Sequence, residues 1–330
     1  MDRLADHQTL PPDADRVLVL ANPRAGAASG KRSVDALVAA LSRHRLSAEI
    51  VPHPNELTDR TAAAQSSGRL RALVGAGGDG TVAELINRAP PGIPITTLPL
   101  GTENLLAKYL DMPYAPSEVA EVIAAGAVVR HDAGRAGDRL FALMVSCGFD
   151  AEVVRRLHEN RQGNISHWSY FKPIWQTIRS YEYPELRIYC DPGRLGENST
   201  PACETLIRAR FAFVFNIPRY AFGFQFAPKA LGDDGLLDVC TFRHGSFGYG
   251  LWYLMNVILQ RHPRVTGCSM LRAKRVRIEA DEPVPYNLDG DHCGYLPLEI
   301  EIVPDRLTLL VPPGWAERRY SRPSVRERTG

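Results

Sequence analysis

The chain has 330 residues, enough for about two domains, and its 45% hydrophobic and 23% charged composition is that of a globular protein able to bury a core in each half. A net charge of +2 is too balanced for a nucleic-acid binder. No apolar run approaches the ~18 residues of a membrane span, and MDRLADHQTLPPDADR has no apolar core of a signal peptide.

Residues 1–15 read as a disordered leader. RVLVLA at 16–21 reads as a short buried strand, followed by the loop NPRAGAASGKR. Ser33 to His44 carries Val34, Leu37, Val38 and Leu41 at helical spacing. AEIVPH then predicts a second strand, and the stretch to Ser67 a second helix. ALVGA, a helix from Thr81 to Asn87, the strand PITTLPLG and a helix from Ser117 to Ala125 continue the alternation. Strand alternating with helix predicts parallel βαβ units, here a Rossmann-like α/β domain over 16–130. Ligands of such sheets lie at the carboxyl ends of the strands.

From about Arg130 the texture changes. RLFALMVSCGF, ELRIYCD, TLIRARFAFVFNI, LLDVCTF, RVRIEA, LEIEIV and LTLLVP are short alternating or β-branched segments between Gly, Pro and Asp. They predict a mostly antiparallel β-sandwich over 131–312, interrupted by helices at 151–181 and 247–261. Residues 313–330 form an arginine-rich tail: Arg318, Arg319, Arg322, Arg326 and Arg328 against Glu317 and Glu327, a local +3. It reads as a solvated end or as a contact for an anionic membrane surface. The six cysteines, at 147, 190, 203, 240, 268 and 293, form no Cys-x-x-Cys pair and read as buried free thiols of a reducing, cytoplasmic compartment.

Three loops after strands carry glycine. In RALVGAGGDGTVAEL, Gly77, Gly78, Gly80 and Thr81 surround Asp79 just before a helix. Backbone N–H groups without side chains approach an anion closely, and the helix adds its positive end. No Lys-Ser or Lys-Thr follows, so this is not the P-loop pattern. Asp79 would repel bare phosphate, and makes sense where Mg²⁺ bridges it to the phosphates or where it orients a donor. Asn22, Pro23, Arg24, Ala25 and Gly26 follow the first strand, and LPLGTENLLA, with Thr102 placed to cap a helix or bond phosphate, follows the fourth. In NLDGDHCGY, Asp289 and Asp291 flank a glycine, either as a hairpin turn or as a carboxylate offered to a substrate hydroxyl as general base. In APKALGDDGLLDV, Asp233 and Asp234 beside Gly235 are either a β-turn or an oxygen-ligand cation site.

Together these segments resemble the catalytic domain of the diacylglycerol kinase and sphingosine kinase family, most closely its soluble bacterial branch. Asn22 to Gly26, Gly77 to Thr81 and Pro99 to Asn104 look like the family's three nucleotide loops, and GFDAEV at 148–153, residues 216–239 and 289–291 have its look too. The resemblance implies ATP between an α/β domain and a β-sandwich, and transfer of its γ-phosphoryl group, with Mg²⁺, to a hydroxyl of a diacylglycerol- or sphingoid-type lipid. It implies nucleotide contacts from Asn22 to Gly26, Gly77 to Thr81 and Thr102, with Asp79 positioning phosphate-bound metal. Asp289 or Asp291 would be the proton acceptor. Leu231, Asp234 and Leu236 would form a structural cation site, from one carboxylate and two carbonyls. It allows a homodimer and peripheral association with a membrane carrying the lipid substrate. The chain departs from the pattern at Leu105, where an Asp is usual, at Asp291, often Glu, and at VPHPNE, where a Thr is frequent. The Gly-Gly-Asp-Gly string is shared with NAD kinases, so NAD phosphorylation is an alternative, as is an inactive lipid-binding protein of the same fold. The aromatic segments 167–178 and 218–227 are candidates for an apolar channel or for plain core.

Overall fold

Two hydrophobic cores organise the chain. A computed structural model describes residues 8–21, 28–159, 177, 180–191, 205–220 and 223–320. One unit holds the described residues up to His131 and from Asp305 onward, and the other holds Asp132–Pro304.

The first unit alternates strand and helix: β1 (Gln8–Thr9), β2 (Arg16–Ala21), α1 (Ala28–Arg43), β3 (Ser47–Val51), α2 (Pro54–Ser66), β4 (Leu70–Gly77), α3 (Asp79–Arg88), β5 (Pro94–Pro99), α4 (Leu105–Tyr109) and α5 (Pro116–Ala125). The strands β3, β2, β4 and β5 are neighbours in that order and all parallel. Val17 to Leu20 and Ala72 to Val74 are fully buried, the continuous apolar run of strands covered on both faces. Val34, Leu37 and Leu41 of α1 bury as their spacing predicts. Buried Arg71 on β4 ties the end of α5 to the sheet. Its guanidinium donates to the carbonyls of Ile123 at 2.8 Å and Ala124 at 2.6 Å, acceptors that a helix end leaves open.

The chain re-enters this unit at its far end. β6 (Ala127–Ala136) begins here, with Val128 opposite Gln8 of β1. The last residues of β19 (Leu298–Leu310) lie parallel to β5, Thr308 opposite Pro94. Arg306 donates to the carbonyl of Ala89 at 2.7 Å, closing the end of α3, and α8 (Trp315–Tyr320) follows.

The second unit is two antiparallel sheets with a shared core. It contains β7 (Arg139–Phe141), β8 (Met144–Cys147), α6 (Phe149–Glu159), β9 (Leu186–Asp191), β10 (Thr205–Ala209), β11 (Phe211–Phe215), β12 (Arg219–Tyr220), β13 (Phe224–Gln225) and β14 (Leu237–Phe242). After α7 (Phe247–Ile258) come β15 (Cys268–Ala273), β16 (Arg275–Ala280), β17 (Pro285–Leu288) and β18 (Asp291–Tyr295). One sheet runs β10-β9-β16-β19, the other β15-β14-β11-β8-β17-β18. Ile188, Val276 and Ile278 from the first pack with Val145, Val214 and Val239 from the second. The helix expected over 151–181 begins at Phe149 and is described to Glu159; residues 160–176 lie outside the described set. The helix expected over 247–261 ends at Ile258, where Gln260 takes a left-handed backbone and a short 3-10 turn, His262–Arg264, begins. No helix among the described residues is long and apolar enough to cross a membrane.

Candidate active site

In the first unit β2, β4 and β5 are adjacent and parallel, so the loops after them leave the same end of the sheet. Gly78 is extended and Asp79 opens α3. The glycines there serve the contact between two loops. A Cβ on Gly101 would lie 2.4 Å from the Gly78 Cα and 2.8 Å from the Asn104 Oδ1, and one on Gly77 would lie 2.1 Å from the Thr81 hydroxyl. The two backbones therefore touch, and the Leu100 N–H donates to the Gly77 carbonyl at 2.9 Å.

Two side chains close this contact. Asn104, buried and left-handed (φ 49°), accepts from the Gly101 N–H at 2.9 Å and donates to the Gly101 carbonyl at 2.8 Å. The half-buried Asp79 accepts from the N–H groups of Leu105 at 3.0 Å and Leu106 at 3.2 Å. Burial pushes its carboxyl up, against the lowering effect of those two amides. Gly80, Gly101 and Thr102 face solvent, with Thr81 half-exposed. The Thr81 and Val82 N–H groups donate to the Gly78 carbonyl at 3.0 and 3.3 Å, closing the first turn of α3. Solvent thus meets a strip of small residues. Asn22, Pro23, Arg24, Ala25 and Gly26 fall between β2 and α1, outside the described residues.

In the second unit Asp289 and Gly290 form the two-residue turn between β17 and β18, with φ of 51° and 89°. Asp-Gly suits such a hairpin because both positions need positive φ. The Asp289 carboxylate accepts from three backbone amides: Ala142 at 2.8 Å, Leu143 at 2.9 Å and Met144 at 2.9 Å. Both of its oxygens hold the bend before β8. Asp291, two residues on, is half-buried at the start of β18. Beside this hairpin Asp150 of α6 accepts hydrogen bonds from the Ser146 hydroxyl, the Tyr220 hydroxyl and, at 3.1 Å, the Asn287 amide. Burial pushes Asp150 up and these bonds oppose it. The sequence assigns no individual role to Asp150, Asn104 or Asn287, although each lies in a stretch that carries the resemblance or a candidate motif: GFDAEV, Pro99 to Asn104 and NLDGDHCGY.

The turn around Asp234 is fixed by Asp132, which accepts from the Gly235 N–H at 2.7 Å and donates its own N–H to the Gly232 carbonyl at 2.8 Å. Asp234 accepts from the Leu236 N–H at 3.2 Å and pairs with the Arg272 guanidinium. Burial pushes neighbouring Asp238 up to about 7. Arg272 occupies one oxygen of Asp234, the carboxylate that the resemblance assigns to a cation together with the carbonyls of Leu231 and Leu236. Among the described residues no three His, Cys, Asp or Glu side chains converge to hold a metal. In the 218–227 segment, Tyr220 and Phe226 are buried in a stack with Phe213 and Phe215, ring centroids 5.1–6.4 Å apart, which is core packing. Residues 167–176, 178 and 179 lie outside the described set.

Residues 16–136 match the diacylglycerol kinase catalytic domain, and residues 143–311 match the YegS C-terminal NAD kinase beta sandwich-like domain. The chain belongs to the diacylglycerol kinase family of lipid kinases, in its YegS-type, two-domain form. It is 26% identical over 268 residues to the "Probable lipid kinase YegS-like" of Chromohalobacter salexigens, covering 78% of this chain and 81% of that one. It is 26% identical over 233 residues to the diacylglycerol kinase of Staphylococcus carnosus, 68% and 71% of the respective chains. A crystal structure of a diacylglycerol kinase from Bacillus anthracis superposes with a TM-score of 0.63 at 22% identity, over 91% of this chain and 98% of that one, a likeness of fold.

Gly101→Ala is expected to lower stability by about 1–3 kcal/mol, since backbone rather than a flexible side chain occupies the space. Gly248→Ala, whose nearest neighbour is a Ser246 hydroxyl at 3.9 Å, is the control, read by thermal melting. Asp289→Asn turns one acceptor into a donor facing amide donors, an expected loss of about 1–3 kcal/mol. Asp291→Asn is expected to change stability by less than about 1 kcal/mol in the same melts.

Proposed function

We propose that the chain is an ATP-dependent kinase of a lipid hydroxyl, of the diacylglycerol or sphingoid type. The observation that carries this reading is the pair of glycine loops held backbone to backbone, with Gly80, Gly101 and Thr102 facing solvent, in a chain of this family. Gly77 to Thr81 and Thr102 are assigned to the nucleotide phosphates, joined by Asn22 to Gly26 from the next strand. Backbone donors and a helix N-terminus suit a polyphosphate, because they add positive potential without bulk.

The donor set fits a divalent ion that arrives on the phosphates, because those oxygens would supply most of its ligands. Mg²⁺ bound there neutralises charge on the transferring group. Asp79 stands behind these loops. With both oxygens bonded to amides, its first task is to hold Leu105 and Leu106, and it is assigned to help position such an ion.

Asp291 is the assigned base. Asp289 is the weaker choice, because taking a proton would break bonds to three amides. Asp291 takes the hydroxyl proton, the freed oxygen bonds to the γ-phosphorus, and the bond to the β–γ bridging oxygen breaks to leave ADP. Phosphoryl transfer asks mainly for positioning and charge neutralisation, so the one-methylene difference between Asp and Glu is tolerable.

Purified protein with labelled ATP, Mg²⁺ and a total lipid extract is expected to yield a labelled phospholipid, with Asp291→Asn lowering kcat by about 10²–10⁴. No labelled lipid, with NADP formed from NAD in a parallel reaction, would transfer the assignment to a nucleotide acceptor. Mg-ATP binding with no product from either acceptor would leave a binding protein.

A further inference from the structure

Helix α7 is inside out. A surface helix normally turns its apolar stripe to the core and its polar face to water. From Phe247 to Leu259 no residue is charged, and the one carboxamide, Asn256, is buried. The anchored edge is Tyr253, Asn256 and Val257, with the Tyr253 ring stacked on Phe242 at 4.4 Å. Phe247, Leu251, Met255, Ile258 and Leu259 recur at helical spacing on the outside, each 44–54% exposed, and Trp252 is 56% exposed. Of twelve exposed large hydrophobic residues among those described, eight lie in this one stretch, so this is a patch and not ordinary scatter.

The charge around the patch has one sign. No acidic residue occurs between Asp238 and Glu279. Arg243 precedes the helix, Arg261 and Arg264 follow it, all three are exposed, and no carboxylate pairs with them among the described residues. The nearby basic strand 271–277 differs: Arg272, Arg275 and Arg277 are paired with Asp234, Asp191 and Glu279. Tyr249 and Trp252 add rings that combine an apolar body with a polar tip, the residues of membrane interfaces.

We propose that α7 is a docking face for an anionic bilayer. The helix lies in the interface plane, with the Phe247–Leu259 stripe at the acyl boundary and Arg243, Arg261 and Arg264 on lipid phosphates. A second copy is the poorer occupant. A two-fold contact would set each protomer's unpaired arginines near their own counterparts, with no acid in the segment to answer them. The lipid-kinase reading supplies the reason for docking, but the docking itself is tested without nucleotide.

The full chain is sedimented with phosphatidylcholine vesicles with and without phosphatidylglycerol, in low and high salt. Binding is expected only with the anionic lipid and weakens with salt. R261Q/R264Q is expected to bind about thirty-fold more weakly. W252S/M255S is expected to lose roughly tenfold or more, with an unchanged melting temperature because both side chains already face water. Equal binding to both vesicle types, or wild-type binding by W252S/M255S, would overturn the proposal. A dimer in size-exclusion chromatography that W252S/M255S converts to monomer, with vesicle binding unaltered, would reassign the face to self-association. Phosphorylation of a dispersed short-chain diacylglycerol, without vesicle binding, would remove α7 and leave the activity standing; vesicle binding without lipid phosphorylation would do the reverse.

Discussion

The first unit depends on a backbone-to-backbone contact. Two loops that follow adjacent parallel strands meet where Gly78 and Gly101 have no side chains, and no other residue allows that approach. Glycine is poor in regular structure because it loses the most conformational freedom on folding. Here that loss is offset by bonds that only close loops can make. Leu100 donates to Gly77, Asn104 grips both polar groups of Gly101, and Asp79 caps Leu105 and Leu106. The solvent-facing strip of Gly80, Gly101 and Thr102 is a consequence of this closure.

The acids follow a common rule. Asp79, Asp132 and Asp289 each place carboxylate oxygens on the main-chain N–H groups of a bend that would otherwise be left without acceptors. Charge-assisted bonds of this kind are about twice as strong as neutral ones and suit half-buried turns. Asp234 is satisfied by a guanidinium instead. An Asp beside a glycine in this chain is therefore first a builder of turns. Asp289, with three amides on its carboxylate, is the clearest case.

The alternation of strand and helix was legible because buried parallel strands and amphipathic helices have distinct periods, as in Val17 to Leu20 against Val34, Leu37 and Leu41. The Asp-Gly hairpin at 289–290 was legible for the same local reason, its need for positive φ. What was not legible depends on partners far along the chain. Asp289 reaches back to residues 142–144, and Asp150 meets Asn287 across 137 positions. No local spacing encodes such pairs. The role of the glycines was also hidden: a loop that touches phosphate and a loop that touches its neighbour require the same missing Cβ. Nor did the sequence mark where the first unit ends, because β19 returns to it beside β5 after 173 residues of the other unit.

Helix α7 shows the limit of reading burial from hydropathy. Its run of thirteen uncharged residues has the composition of a core helix, and only the placement of Tyr253, Asn256 and Val257 reveals that the narrower edge faces in. Water is a poor partner for the rest, and exposure on this scale is unfavourable unless something apolar covers it. The covering surface has to be apolar within and anionic at its rim, to match the stripe and its unpaired arginines. A bilayer of acidic lipids meets both requirements without asking any residue of this chain to change partners.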